Sequence, residues 1–98
     1  MIKYKIILTD TAKDNLSELI PENKLKIQRS FDSIEKNGIQ SVFIKSLGNK
    51  LFEIRTGRVR ALYTYKEKQL IIVGIIFLKD TQKTPKEIIK KARKVLNL

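Results

Sequence analysis

The chain has 98 residues, which suits one domain with one modest hydrophobic core, so we expect residues 1–98 to form a single domain. It contains no Cys and no His. Disulfides, thiolate metal ligands and Cys nucleophiles are therefore excluded, as is the side chain best suited to proton transfer near neutral pH. Twenty-one Lys and Arg residues against ten Asp and Glu residues give a formal charge of +11. This charge favours a polyanionic partner, such as nucleic acid, a ribosome or an acidic protein segment.

The sequence predicts neither export nor membrane insertion. The N-terminal residues lack the apolar stretch of a signal peptide. The longest apolar run, residues 70–78, is too short to cross a bilayer. We therefore expect a cytoplasmic protein with no membrane partner.

The N-terminal half predicts one strand followed by two helices. Residues 2–8 alternate Lys with apolar side chains, which is typical of a strand, and Asp10-Thr11 offers capping groups for a first helix. A second helix is predicted from about Glu22 to Asn37, because Pro and Gly flank this stretch at positions that suit helix ends. Residues 39–49 are expected to form a loop.

The C-terminal half predicts three strands and a final helix. Residues 51–56, 58–65 and 69–78 are rich in the β-branched and aromatic residues that favour strands. Thr84 has the position of an N-cap, with Glu87 completing a capping box. The order β-α-α-β-β-β-α indicates an α+β fold in which an antiparallel sheet packs against helices.

The strand pattern gathers arginines on one sheet face. If residues 56–57 form a two-residue turn, Arg55 pairs with Arg58, and Glu53 pairs with Arg60. These four side chains then share one face, whereas apolar side chains occupy the other face and bury the helices. The cluster is either a solvated face with a cross-strand ion pair or a surface that binds phosphate.

A second hairpin adds a lysine to this face. A turn at residues 67–68 would place Arg60 opposite Ile75, Arg58 opposite Phe77, and Lys79 at the strand end beside the arginines. The connector that follows brings further lysines, a glutamine and two hydroxyls close to a helix N-terminus, which favours anions. The final helix carries additional lysines on its outer face. The residues that we expect to contact nucleic acid around the central cluster are Arg58, Gln82, Lys86 and Lys90.

The segments 51–55, 60–65 and 76–85 resemble the RelE/ParE toxin superfamily of type II toxin–antitoxin systems. They are most similar to the HigB-like branch, in which an "F-x-K-K-T-x-K-T-P" type of sequence precedes the last helix. The match covers residues 50–96 well and the first half only in its order of elements. The resemblance implies a RelE-like fold and a hetero-oligomer with a cognate antitoxin protein. It also implies that the protein cleaves mRNA on the ribosome.

The resemblance also implies a reaction that needs no metal and no other cofactor. Family members let a ribose 2′-OH attack the adjacent phosphate, which requires a base, cations for the phosphorane and an acid for the leaving oxygen. By resemblance, Arg60 contacts the scissile phosphate and Arg55 stabilises its charge. Lys79 or Lys83 positions the substrate or transfers a proton. Glu53 either acts as a base or orients Arg60.

The chain departs from this family pattern in two places. Some relatives use a His or a C-terminal Tyr as acid or base, whereas the last Tyr here is Tyr65. Asp80 stands where relatives often carry a second Lys. The alternative functions are a ParE-like inhibitor of DNA gyrase without nuclease activity and an inactive member that only binds its antitoxin.

Overall fold

The computed structural model describes residues 3–80 and 84–98. Within these residues the chain forms five strands, three α-helices and one short 3-10 helix. In chain order they are β1 (Lys5–Leu8), α1 (Asp10–Glu18), α2 (Pro21–Asn37), the 3-10 helix (Ile39–Ser41), β2 (Phe43–Gly48), β3 (Leu51–Thr56), β4 (Val59–Glu67), β5 (Leu70–Leu78) and α3 (Lys86–Leu96). The predicted α+β class is confirmed, and the structure adds β2. No helix in the described part of the chain has the length and apolarity needed to cross a membrane.

The strands form one sheet in the order β1-β5-β4-β3-β2. All neighbours are antiparallel except β1, which is parallel to β5. The loop predicted for residues 39–49 is wrong, because residues 43–48 form the edge strand β2. The β2–β3 hairpin turns at Asn49 and Lys50, whose φ angles are 47° and 69°. Two successive positive φ angles match the twist of paired strands, so this turn closes the hairpin without Gly at either position.

Helices cover both faces of the sheet, which corrects the expectation that they all pack on one apolar face. Helices α1 and α2 cover the first face and enclose the larger core cluster, which includes Ile27, Ile34, Ile54, Ala61, Tyr63 and Val73. Helix α3 covers part of the second face through a smaller cluster of Leu51, Leu62, Ile75 and Ala92. The uncovered part of this second face carries the predicted arginines.

A bulge in β5 decides which side chains reach the second face. The pairing with β4 shifts by one residue at Gly74. As a result Val73 packs in the core under α1 and α2, whereas Ile75 packs against α3. Without this extra residue, simple alternation would put both side chains on the same face. Because Lys79 follows Ile75 by four residues, the bulge directs its side chain toward the arginines.

Helix α1 supplies the hydrogen bonds that β5 lacks beyond the end of β1. The hydroxyl of Thr9 donates to the carbonyl of Gly74 at 3.0 Å, and Asn15 Oδ1 accepts from the Ile76 N–H at 3.0 Å. Thr9 is also the N-cap of α1, since its hydroxyl accepts from the Ala12 N–H. The predicted cap at Asp10-Thr11 is therefore displaced by one residue.

Candidate functional site

The turn between β3 and β4 lies one residue later than the sequence predicts. Gly57 and Arg58 form the turn, and Gly57 adopts a φ of 57° that favours Gly. Arg55 therefore lies opposite Arg60 and not opposite Arg58, and Glu53 does not pair with Arg60. The pairing changes by two residues in total, so Glu53, Arg55 and Arg60 remain on the same face.

The second hairpin also differs in register from its prediction. Arg60 lies opposite Phe77 and not Ile75, because the β4–β5 turn contains residues 68–69 and the register shifts at Lys66 and Gly74 cancel. Arg58 lies beyond this pair, and its carbonyl accepts from the Lys79 N–H at 2.9 Å. Lys79 therefore follows directly after β5 and lies beside the arginines, as expected.

Glu53 is the centre of the cluster. Its side chain is fully buried, and its Oε1 atom accepts a hydrogen bond from Arg55 Nε at 2.9 Å. Its Oε2 atom accepts from the hydroxyl of Thr84. The Nε of Arg60 lies 3.8 Å from Oε1. Both carboxylate oxygens are thus occupied by groups from β3, β4 and the segment before α3.

The predicted capping of α3 by Thr84 is wrong. The N-cap residue is Pro85, and no side chain caps this helix. The hydroxyl of Thr84 instead donates a hydrogen bond to Oε2 of Glu53 on β3. A buried carboxylate gains more from a hydroxyl donor than an exposed helix end does, because water can satisfy the helix end. Thr84 therefore fixes the start of α3 to the cluster.

Opposing effects act on the pKa of Glu53. Burial alone would raise this pKa, but the hydrogen bonds from Thr84 and Arg55 and the positive charges of Arg55 and Lys79 lower it below its ordinary value. Glu53 is therefore ionised at neutral pH, and it is a weak proton acceptor.

Arg60 is held rigidly within the sheet. Its side chain is only 14% exposed, and its Nη1 atom donates to the carbonyls of Gly57 at 2.7 Å and Val59 at 3.0 Å. Its buried Nε has no hydrogen-bond partner in the described part of the chain. Burial lowers the pKa of Arg60, Glu53 opposes this shift, and Arg55 adds to it. Arginine nevertheless keeps its charge at physiological pH.

Lys79 completes an excess of positive charge. It is a buried residue, only 8% exposed, and this burial lowers the pKa of its ammonium group. Glu53 opposes the shift, whereas Arg55, Arg60 and Lys45 add to it. One carboxylate thus faces three enclosed or half-enclosed cations. Such an unbalanced, partly desolvated cluster is arranged to attract an anion.

The other predicted RNA contacts lie around this cluster. Arg58 lies in the exposed β3–β4 turn, where its Nη2 atom is 2.7 Å from Asp80 Oδ1. Lys86 and Lys90 are exposed on α3. Gln82 and Lys83 lie outside the described residues. The structure therefore brings Glu53, Arg55, Arg60 and Lys79 together and leaves Arg58, Lys86 and Lys90 at the periphery.

Sequence reasoning missed two residues on β2. Phe43 lies directly opposite Arg55, and Lys45 lies directly opposite Glu53. Both therefore share the face of the cluster, whereas Ile44 packs toward α1 and α2. The signal was present in Val42-Phe43-Ile44, three consecutive residues that favour strands.

The net charge is concentrated on the sheet and α3. Residues 10–37, which contain α1 and α2, carry five basic and six acidic residues, whereas the other seventy residues carry sixteen basic and four acidic ones. The molecule therefore presents a nearly neutral helical side and a strongly basic side. The partly open cluster around Glu53 lies on the basic side.

The fold and the cluster define a small basic α+β protein with an excess of positive charge on one sheet face. The model of the family described as Phage derived protein Gp49-like (DUF891) matches residues 8–97. The chain belongs to this family, and its resemblance to the RelE/ParE toxin superfamily is confirmed.

Solved structures share the fold at low sequence identity. The toxin–antitoxin complex RelBE2 from Mycobacterium tuberculosis is 19% identical with a TM-score of 0.67, over 80% of this chain and 100% of that chain. The archaeal RelE–RelB complex from Pyrococcus horikoshii OT3 is 14% identical with a TM-score of 0.66, over 81% and 98%. The RelB–RelE complex from Methanococcus jannaschii is 13% identical with a TM-score of 0.63, over 74% and 88%. No curated protein matched the chain.

Proposed function

We propose that this protein is the toxin of a type II toxin–antitoxin pair and that it cleaves mRNA on the ribosome. The observation that carries the proposal is the ionised, buried Glu53 surrounded by Arg55, Arg60 and Lys79 on a partly open sheet face. A cluster with this excess of positive charge suits a phosphate whose charge increases during the reaction. Similar folds occur in RelE–RelB complexes, which supports a cognate antitoxin as the partner.

The proposed reaction is an attack by a ribose 2′-OH on the adjacent phosphorus. The 2′-OH gives its proton to solvent water, the new bond joins the 2′ oxygen to phosphorus, and the bond from phosphorus to the 5′ oxygen breaks. The products are a 2′,3′-cyclic phosphate and a 5′-hydroxyl. Arg55 and Arg60 stabilise the phosphorane, because guanidinium groups match the geometry of phosphate oxygens.

Lys79 is the proposed acid for the leaving 5′ oxygen. Its burial lowers the pKa of the ammonium group, which makes the group a better proton donor than an exposed lysine. Glu53 is the proposed orienting group for both arginines and not the base, because its pKa is lowered and both its oxygens accept hydrogen bonds. The ribosome supplies the in-line arrangement of the 2′-OH in this proposal, which accounts for ribosome dependence.

The test is cleavage of translated mRNA after induction, mapped by primer extension. We expect Arg60→Ala to lower cleavage by roughly 100-fold or more, as for the loss of one preorganised donor to a transition state. The matched control is Arg29→Ala, since Arg29 is exposed on α2, on the opposite side of the sheet. Cleavage that survives Arg60→Ala contradicts the proposed site.

The same induction experiment separates the other functions. Intact mRNA together with gyrase-dependent DNA breaks would identify a gyrase inhibitor. Unchanged growth with intact mRNA and DNA would identify a protein that only binds its antitoxin. Either result contradicts the nuclease.

A further inference from the structure

An exposed aromatic ring lies beside the cation cluster. Phe43 is 81% exposed, more than any other large apolar side chain of the described residues. Phe43 lies directly opposite Arg55 in the antiparallel β2–β3 pair. The Cβ atoms of such residues are about 4.5–5.5 Å apart, so the side chain of Phe43 starts beside that of Arg55. Lys45 follows two residues later on the same face.

Packing does not explain this ring. Leu47, at the other end of β2, packs into the cluster under α3, and Ile44 packs into the core on the opposite face. Phe43 belongs to neither core cluster. Its neighbours across and along the strand are the charged side chains of Arg55 and Lys45. The ring is therefore presented to solvent beside two cationic residues.

We propose that Phe43 is a stacking platform for an unpaired nucleobase of the bound RNA. An aromatic ring beside cations matches a nucleotide, which offers a flat base and a negative phosphate close together. Arg55 binds the phosphate on the cluster side of the base, and Lys45 binds the backbone along the sheet edge. This proposal rests on the proposed function and adds a base-binding subsite to it.

The chain contains no Trp, so Phe43→Trp introduces a single tryptophan, whose emission can be excited selectively over that of the three Tyr residues, at the proposed platform. The probe is a single-stranded RNA with 2′-O-methyl groups, which cannot be cleaved by 2′-OH attack. We expect this RNA to quench the emission of Phe43→Trp and to leave the emission of Ile20→Trp unchanged. Ile20 is a matched control because it is also an exposed apolar residue, 59% exposed, at the junction of α1 and α2.

The affinities of Phe43 variants for the same RNA distinguish stacking on an aromatic ring from simple apolar contact. Phe43→Ala should weaken binding by roughly 5- to 150-fold, the range found when a stacking aromatic is removed. Phe43→Tyr should retain the affinity, whereas Phe43→Leu should bind as weakly as Phe43→Ala. Far-ultraviolet circular dichroism should show unchanged folding, because the ring lies outside both cores.

Two results would overturn the stacking site. The first is unquenched Phe43→Trp emission at saturating RNA. The second is a Phe43→Ala protein that keeps its RNA affinity, including one that loses only antitoxin binding, since Phe43 would then be a protein contact. If RNA quenches the emission of Phe43→Trp but the wild-type protein never cleaves mRNA, the stacking site is supported and the nuclease is contradicted. The two proposals can therefore fail separately.

Discussion

Replacing Glu53 with Gln removes the only negative charge at the centre of the cluster while keeping the shape of the side chain. Loss of one partner from a buried ion pair costs about 3–5 kcal/mol when the other charge stays buried. The side chain of Arg55 is 35% exposed and can be solvated, but Arg60 and Lys79 remain enclosed. We therefore expect a loss of about 2–3 kcal/mol in the free energy of unfolding. For a domain of this size, this loss lowers Tm by about 10–20 °C.

The contribution of Glu53 to the free energy of unfolding depends on pH, and the direction of its pKa shift gives the sign of this dependence. The pKa of Glu53 is lowered on folding, so its contribution is fully present above the unfolded value of about 4.5 and is lost as pH falls through the folded pKa. Urea denaturation measures the free energy of unfolding, and the difference in this free energy between wild type and Glu53→Gln should become smaller below pH 4.5. Asp80→Asn is the matched control, because its exposed pair with Arg58 contributes at most about 1 kcal/mol. Equal stability of wild type and Glu53→Gln at neutral pH would refute the reasoning.

Three further substitutions test the supports of the cluster. Thr84→Val should destabilise the fold by about 1–3 kcal/mol and raise the pKa of Glu53, whereas Thr84→Ser should do neither; carboxyl titration by NMR measures the shift. Gly74→Ala should cost about 1–3 kcal/mol in thermal unfolding, because the new Cβ would lie 2.7 Å from Leu96 Cγ; an unchanged Tm would contradict the packing of α3. Lys79→Arg should lower cleavage at every pH, because a guanidinium keeps the positive charge but does not give up its proton to the leaving 5′ oxygen; cleavage equal to wild type would show that Lys79 is not the acid.

The sequence was sufficient for the elements that carry a strong local pattern. Both N-terminal helices and the three consecutive C-terminal strands were predicted within a few residues of their observed bounds. Strand β2 was missed because its turn uses Asn49 and Lys50 instead of the common Asn-Gly pair. The packing of α3 on the second face was missed because the register of β5 depends on a bulge at Gly74, which alternation alone does not predict.

The face of the cluster was predictable, but its contacts were not. Alternation placed Glu53, Arg55 and Arg60 together even though the predicted turn was wrong, because a change of two residues in pairing preserves the face. The bond from Thr84 to Glu53 joins residues 31 positions apart and competes with a plausible helix cap. Local sequence rules favour the cap, so only the tertiary structure reveals that the hydroxyl serves the carboxylate.

The cluster contains one carboxylate, and neither fewer nor more would suit three neighbouring cations that are proposed to bind phosphate. With none, Arg55, Arg60 and Lys79 would repel one another in a partly desolvated site, and the hydrogen bond from Thr84 that joins the start of α3 to the sheet would be lost. With three, the positive charge would be neutralised and the attraction for phosphate would disappear. Glu53 binds Arg55 directly, lies near Arg60 and anchors Thr84, yet it leaves an excess of two positive charges. The same carboxylate that stabilises the fold therefore preorganises the cations for an anion whose charge increases as it reacts.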